Sequence, residues 1–181
     1  MLGLPWKPAV LRAVAALLVG AAAVVGYWWF RSPAATRYKV GDRVPELELP
    51  TLESGAATPL SRFHGRVVLL TMFASNCPLC EKELPVVERL HREFMKKGVA
   101  VLGIGADPDA VPLLALVRHH VVTFYVLHDP KGAKIREVFG TTRLPEAYLI
   151  DKEGIVRAVF RGDLVGRKEE LREHLAQLLD S

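Results

Sequence analysis

Residues 67–73, Val-Val-Leu-Leu-Thr-Met-Phe, form an uncharged and almost wholly apolar run. A strand of that composition has both faces covered, so it belongs inside a layered structure and not at a wet edge. Four residues beyond it stand the only two cysteines of the 181-residue chain, in Cys77-Pro78-Leu79-Cys80, and a helical pattern starts there. The dithiol therefore lies where a central strand hands over to a helix N-terminus, the place in a fold where a thiolate is most easily stabilised. With Cys77 at the N-cap, its sulfur faces unpaired N–H groups and the positive end of the helix dipole, while Cys80 lies about one turn further in and more covered. Cys77 is then the nucleophile and Cys80 the resolving thiol, the two closing a disulfide when oxidised. Pro78 suits the first helical position, where its missing N–H costs nothing. Neither Pro78 nor Leu79 brings a charge, so the dipole must do most of the acidification.

The rest of the chain supplies the layers. Val44 to Leu49 alternates around Pro45 as an edge strand would, and Gly55 and Pro59 mark turns before the central strand. After the cysteines, Leu84, Val87, Leu90 and Phe94 recur at helical spacing, with Glu81, Lys82, Glu88, Arg89, Arg92, Glu93, Lys96 and Lys97 on the solvated side. Pro85 should kink this helix and Gly98 should stop it. Val99–Ile104 reads as a second buried strand. A helix follows from Asp109, expected as its N-cap, through Leu113, Leu114, Leu116 and Val117 to His119. Phe124–Leu127 reads as a strand, Gly132–Phe139 as a short helix and Ala147–Ile150 as a strand. Asp151-Lys152-Glu153-Gly154 is a hairpin turn into Ile155–Phe160, and Arg167–Leu179 is a closing amphipathic helix. This order implies an α/β fold, a mixed sheet with helices on both sides.

The N-terminus is of a different kind. Ala13–Phe30 is 18 residues without a charge, long enough at ~1.5 Å per residue to cross most of a ~30 Å hydrocarbon core. Tyr27-Trp28-Trp29-Phe30 then Arg31 read as an aromatic belt closing the span. The organisation expected is a cytoplasmic segment 1–12, one transmembrane signal anchor 13–30, a tether 31–37 and a single domain 38–181. The rival is a cleaved signal peptide, since Ala34 and Ala35 follow the run. The net charge of +4 comes from this flank: Lys7, Arg12, Arg31 and Arg37 precede residue 38 and no acidic residue does. The domain is thus neutral, which argues against a nucleic-acid partner.

Taken together, Val44-Pro45, Gly65, Cys77-Pro78-Leu79-Cys80, Glu83, Pro85, Leu144-Pro145 before Ala147-Tyr148-Leu149-Ile150-Asp151, and Gly154 resemble in order and spacing the membrane-tethered TlpA/ResA-type thiol-disulfide oxidoreductases. These are redoxin-like proteins related to the reductases of cytochrome c maturation. The resemblance covers about residues 38–180. It implies a thioredoxin-like three-layer α/β/α domain with a mixed central sheet and an N-terminal strand extension, facing the periplasm or the outside of the cytoplasmic membrane. It also implies a cis proline at Pro145, packed against the dithiol, with Leu144 offering backbone groups to the incoming chain and Glu146 pointing to the substrate class. Glu83 matches the acidic residue that ResA-like proteins place near the dithiol to move its protons. Read without the resemblance, Glu83 is equally a solvated helix residue beside Lys82, and Pro145 a trans proline opening a strand.

Two residues depart from the pattern. Asn76 stands where most relatives have tryptophan, and Thr71 where ordinary thioredoxins bury an aspartate. A hydroxyl cannot act as a base at neutral pH, so more of the proton work falls on Glu83 or water. His64, His91, His119, His120, His128 and His174 are scattered, and neighbours such as His119 and His120 should diverge on a helix or strand, so no metal or other cofactor is expected. The reading is a monomeric thiol-disulfide oxidoreductase, held at the membrane by its N-terminal helix and kept reduced by a membrane electron donor. Its partners would be disulfide-bearing client proteins, apocytochrome c foremost. Three alternatives stand beside it. A copper metallochaperone would need a histidine near the cysteines. A thiol peroxidase lacks support from Ala74 and Leu70, where peroxidatic sites carry other residues. A static disulfide would close too small a loop to stabilise much.

Overall fold

The computed structural model describes residues 38–180. The expected segments 1–12, 13–30 and 31–37 lie outside the described residues. No helix among the described residues is long and apolar enough to cross a membrane.

The domain opens with a small antiparallel hairpin of β1 (Glu48–Pro50) and β2 (Ala57–Pro59), turned at Gly55 with φ +69°. This corrects the expected edge strand at Val44–Leu49. Pairing begins only at Glu48 and forms a separate two-stranded sheet, because Pro45 has no N–H to donate to a ladder. Two isolated bridges, Arg43 to Ile155 and Thr51 to Leu127, join this segment to the main sheet.

The main sheet has five strands. β3 (Val67–Phe73) is its centre and is buried along its whole length. β4 (Val99–Gly105) runs parallel to it on one side, and β5 (Tyr125–His128) lies parallel beyond β4. On the other side β6 (Glu146–Ile150) and β7 (Val156–Arg161) are antiparallel, giving the order β5-β4-β3-β6-β7. Among the described residues four α-helices cover it: α1 (Pro78–Phe94), α2 (Ala110–His119), α3 (Ala133–Phe139) and α4 (Lys168–Asp180).

Because strand side chains alternate, the residues of β3 feed two cores. Val67, Leu69 and Phe73 meet Leu84, Val87, Leu90 and Phe94 of α1, with Leu113 and Val117 of α2 and Leu171 and Leu175 of α4. Val68, Leu70 and Met72 face the opposite way, toward Ile135 and Phe139 of α3 and toward Leu47 and Leu49. One short helix cannot cover a five-stranded face, and the N-terminal hairpin segment completes it. The mixed sheet between two layers is the expected thioredoxin-like architecture.

One local expectation changes, and two others take a definite form. Glu88, read as a solvated residue of α1, is buried; Thr123 donates to it from both N–H (2.8 Å) and Oγ1 (2.6 Å), and Arg92 donates from Nε. Those bonds hold its carboxyl below the usual range despite burial. Asp109 does occupy the N-cap of α2, but its side chain makes no capping hydrogen bond. Pro85 is exposed inside α1, and the helix runs through it to Phe94 before a single 3-10 turn ends at Gly98, φ +102°.

Candidate active site

The site begins where β3 ends. From Phe73 the chain makes a short loop, Ala74-Ser75-Asn76, and enters α1 at Cys77, whose extended φ/ψ of −110°/101° is that of an N-cap. The loop is pinned from beside β4. Ser75 donates its N–H to the buried Asp107 carboxylate at 2.9 Å, and its hydroxyl donates to the same group. Cys77 is half-buried and its Sγ accepts the Cys80 N–H at 3.2 Å, so the sulfur stands in for the oxygen of an ordinary cap. Pro78 fills the first helical position and is exposed, Leu79 is half-buried, and Cys80 is 1% exposed. The two sulfurs form a disulfide, with Cα atoms 5.2 Å apart.

Glu83 is three residues beyond Cys80 on the same helical face and only 2% exposed. It is therefore not the solvated residue that a helix glutamate beside Lys82 would be. The Leu164 N–H donates to its Oε1 at 2.8 Å, while the buried Oε2 has no hydrogen-bond partner among the described residues. Burial pushes the carboxyl up to about 7, helped by nearby Asp163 and opposed by the Leu164 bond.

The Leu144–Pro145 bond is cis. The antiparallel register of Met72 with Glu146 sets Pro145 beside the end of β3, where the dithiol loop departs. Leu144 and Cys77 pack against the same apolar core. Pro145 is itself buried, and its carbonyl accepts the Gly162 N–H at 3.1 Å. Glu146 is buried on the opposite face of the sheet from α1, paired with Arg161 Nε at 2.7 Å. Its carboxylate lies against the fully buried Tyr148, whose phenol is driven up to about 12, first by burial and then by that carboxylate. Glu146 thus backs the proline loop from within, and does not present a free carboxylate to solvent.

Asn76 is exposed beside Cys77 and Thr71 is buried in β3. The histidines do not all scatter. His119 is the last residue of α2 and His120 its C-cap, and their rings lie 4.9 Å apart at 87°. This corrects the expected divergence: at the end of the helix the two side chains turn toward each other.

Asp107, Leu164 and Arg161 were not legible as site residues. Asp107 and Leu164 reach the site across 32 and 81 residues of sequence with no motif to mark them. Arg161 could have been found from the hairpin turn at Gly154, but a bulge between Leu149 and Ile150 shifts the register. Counting back from Ile150–Val156 sets Phe160, and not Arg161, opposite Glu146.

The Redoxin family pattern matches residues 39–175. Thiol-disulfide oxidoreductase ResA of Bacillus thuringiensis subsp. konkukian is 31% identical over 142 residues, 78% of this chain and 80% of that protein. ResA of Geobacillus thermodenitrificans is 28% identical over 171 residues, covering 93% and 95%. Among solved structures, a Chlorobium tepidum protein described as a DsbE thiol:disulfide interchange protein superposes with TM-score 0.73 at 28% identity, over 78% of this chain and 98% of that one. The chain belongs to the Redoxin family, as a ResA-like thiol-disulfide oxidoreductase.

Proposed function

We propose that the domain reduces disulfides of extracytoplasmic client proteins, with Cys77 as nucleophile, Cys80 as resolving thiol and Glu83 as the group that takes and returns the proton. The asymmetry of the pair carries this reading: Cys77 is the accessible sulfur and accepts an N–H of the helix end, while Cys80 is buried on the helical face that also carries Glu83.

Starting from the dithiol, the Cys77 thiolate attacks one sulfur of the client disulfide and expels the other as a thiolate. Glu83, ionised, accepts the Cys80 proton; Cys80 then attacks Cys77 Sγ and releases the second client thiol. Two electrons pass to the client, and the Cys77–Cys80 disulfide remains. A carboxyl titrating at about 7 is neutral and charged in comparable amounts near neutral pH, which suits both halves of that transfer. Leu144 and cis Pro145, beside the end of β3, would receive the client backbone, with Glu146 and Arg161 holding the loop from behind. Residues 13–30 would anchor the domain with 1–12 in the cytoplasm and 31–37 as tether, a membrane dithiol donor would restore the pair, and the protein would act as a monomer. The Pro145-Glu146 pair makes apocytochrome c the first client to test.

Cys77→Ser should abolish reduction of a disulfide substrate. Cys80→Ser should accumulate a mixed disulfide through Cys77, visible as a reductant-sensitive adduct on a gel. If Cys77→Ser traps the client instead, the order of attack is reversed.

A further inference from the structure

We propose that Glu81, His119 and His120 form a binding site for a borderline divalent transition-metal ion, Zn2+ being the ion their donor set matches. One donor atom from each residue lies within 4.8 Å of the others. One pair is close to the required spacing: His120 Nε2 is 3.5 Å from Glu81 Oε1, and two ligands about 2.1 Å from a tetrahedral ion stand about 3.4 Å apart. His120 Nε2 is buried and makes no hydrogen bond among the described residues. It is a desolvated nitrogen facing a carboxylate, which a bound cation would satisfy.

The backbone holds this nitrogen in place. α2 ends at His119, His120 has φ/ψ of −87°/4°, and Val121 follows with φ 51°, a left-handed conformation that a β-branched residue rarely adopts. At this helix end the two adjacent imidazoles lie 4.9 Å apart at 87°. Glu81 and His119 are exposed, so their side chains can close the remaining distance and water can fill the fourth position.

Glu81 directly follows Cys80. The ion would sit on the first turn of the dithiol helix and tie it to the end of α2. The cysteines take no part, so the site stands or falls separately from thiol exchange.

The test is calorimetric titration of the oxidised full-length chain with Zn2+ alone, the disulfide keeping both thiols out of coordination, with Co2+ absorption as the report on geometry. One ion per chain is expected, with Co2+ giving a tetrahedral or five-coordinate spectrum. Glu81→Gln, His119→Gln and His120→Gln should each weaken Zn2+ binding at least tenfold, while His64→Gln leaves it unchanged. No stoichiometric uptake by the wild type, or uptake that survives the combined His119→Gln, His120→Gln change in a protein with unaltered circular dichroism, would overturn the site and leave a simple His120–Glu81 ion pair.

Discussion

Glu83 is the residue whose chemistry depends most on where the chain puts it. Its carboxyl titrates near 4.5 in an unstructured chain and about 7 in the fold, because burial penalises the charge more than the single Leu164 N–H repays. Between those two values the unfolded chain releases a proton that the folded chain keeps. Stability therefore falls as pH rises from about 4.5 through about 7, by roughly 3 kcal/mol in all. Glu83→Gln keeps an oxygen for Leu164 and removes the titration. In guanidinium unfolding of the oxidised protein, the variant should match or trail the wild type at pH 5 and exceed it at pH 8. Parallel pH profiles would show that the carboxyl is not held neutral by the fold. At the same scale, Asp107 fixes the dithiol loop through Ser75, a task no local pattern announces.

Among the elements, β4 and α2 meet closely at Gly105. A Cβ on Gly105 would fall 2.1 Å from Leu113 Cδ2 and 2.7 Å from Cδ1, and Leu113 is completely buried. Gly105→Ala should destabilise by about 1–3 kcal/mol, since the crowded side chain has nowhere to swing. Leu113→Ala alone should cost about 2–5 kcal/mol through the cavity it leaves. The two together should cost clearly less than their sum, because each change makes room for or fills the other. Additive losses in a denaturant double-mutant cycle would mean that α2 shifts as a body. Glycine here serves close packing, not a turn, and the sequence pattern of a buried strand cannot distinguish it from an alanine.

For the whole molecule, the described residues form a core on each face of the sheet. Residues 38–181 alone should unfold in one cooperative transition and stay soluble. The full chain should remain with the membrane fraction through a carbonate wash and be released by detergent. A soluble, N-terminally shortened product in cells would replace the anchor with a cleaved signal. Much of this architecture was legible beforehand: seven consecutive apolar residues require two covering layers, a proline after Cys77 opens a helix, and leucine spacing marks its buried side. Those are local rules of period and backbone geometry, and the chain obeys them because neighbours in sequence remain neighbours in space. The dithiol, its position at the helix start and the layered α/β class were therefore determined by sequence alone. The tertiary structure alone decided that Glu88 is buried where helical charge patterning put it in water, and that Glu83, which the sequence left open between a proton partner of the dithiol and a solvated helix residue, is buried. It also decided that Arg161 meets Glu146 across a bulge, and that His119 and His120 converge on Glu81. Each of these depends on desolvation or contact across many residues, and such energies exist only once distant segments are packed against one another.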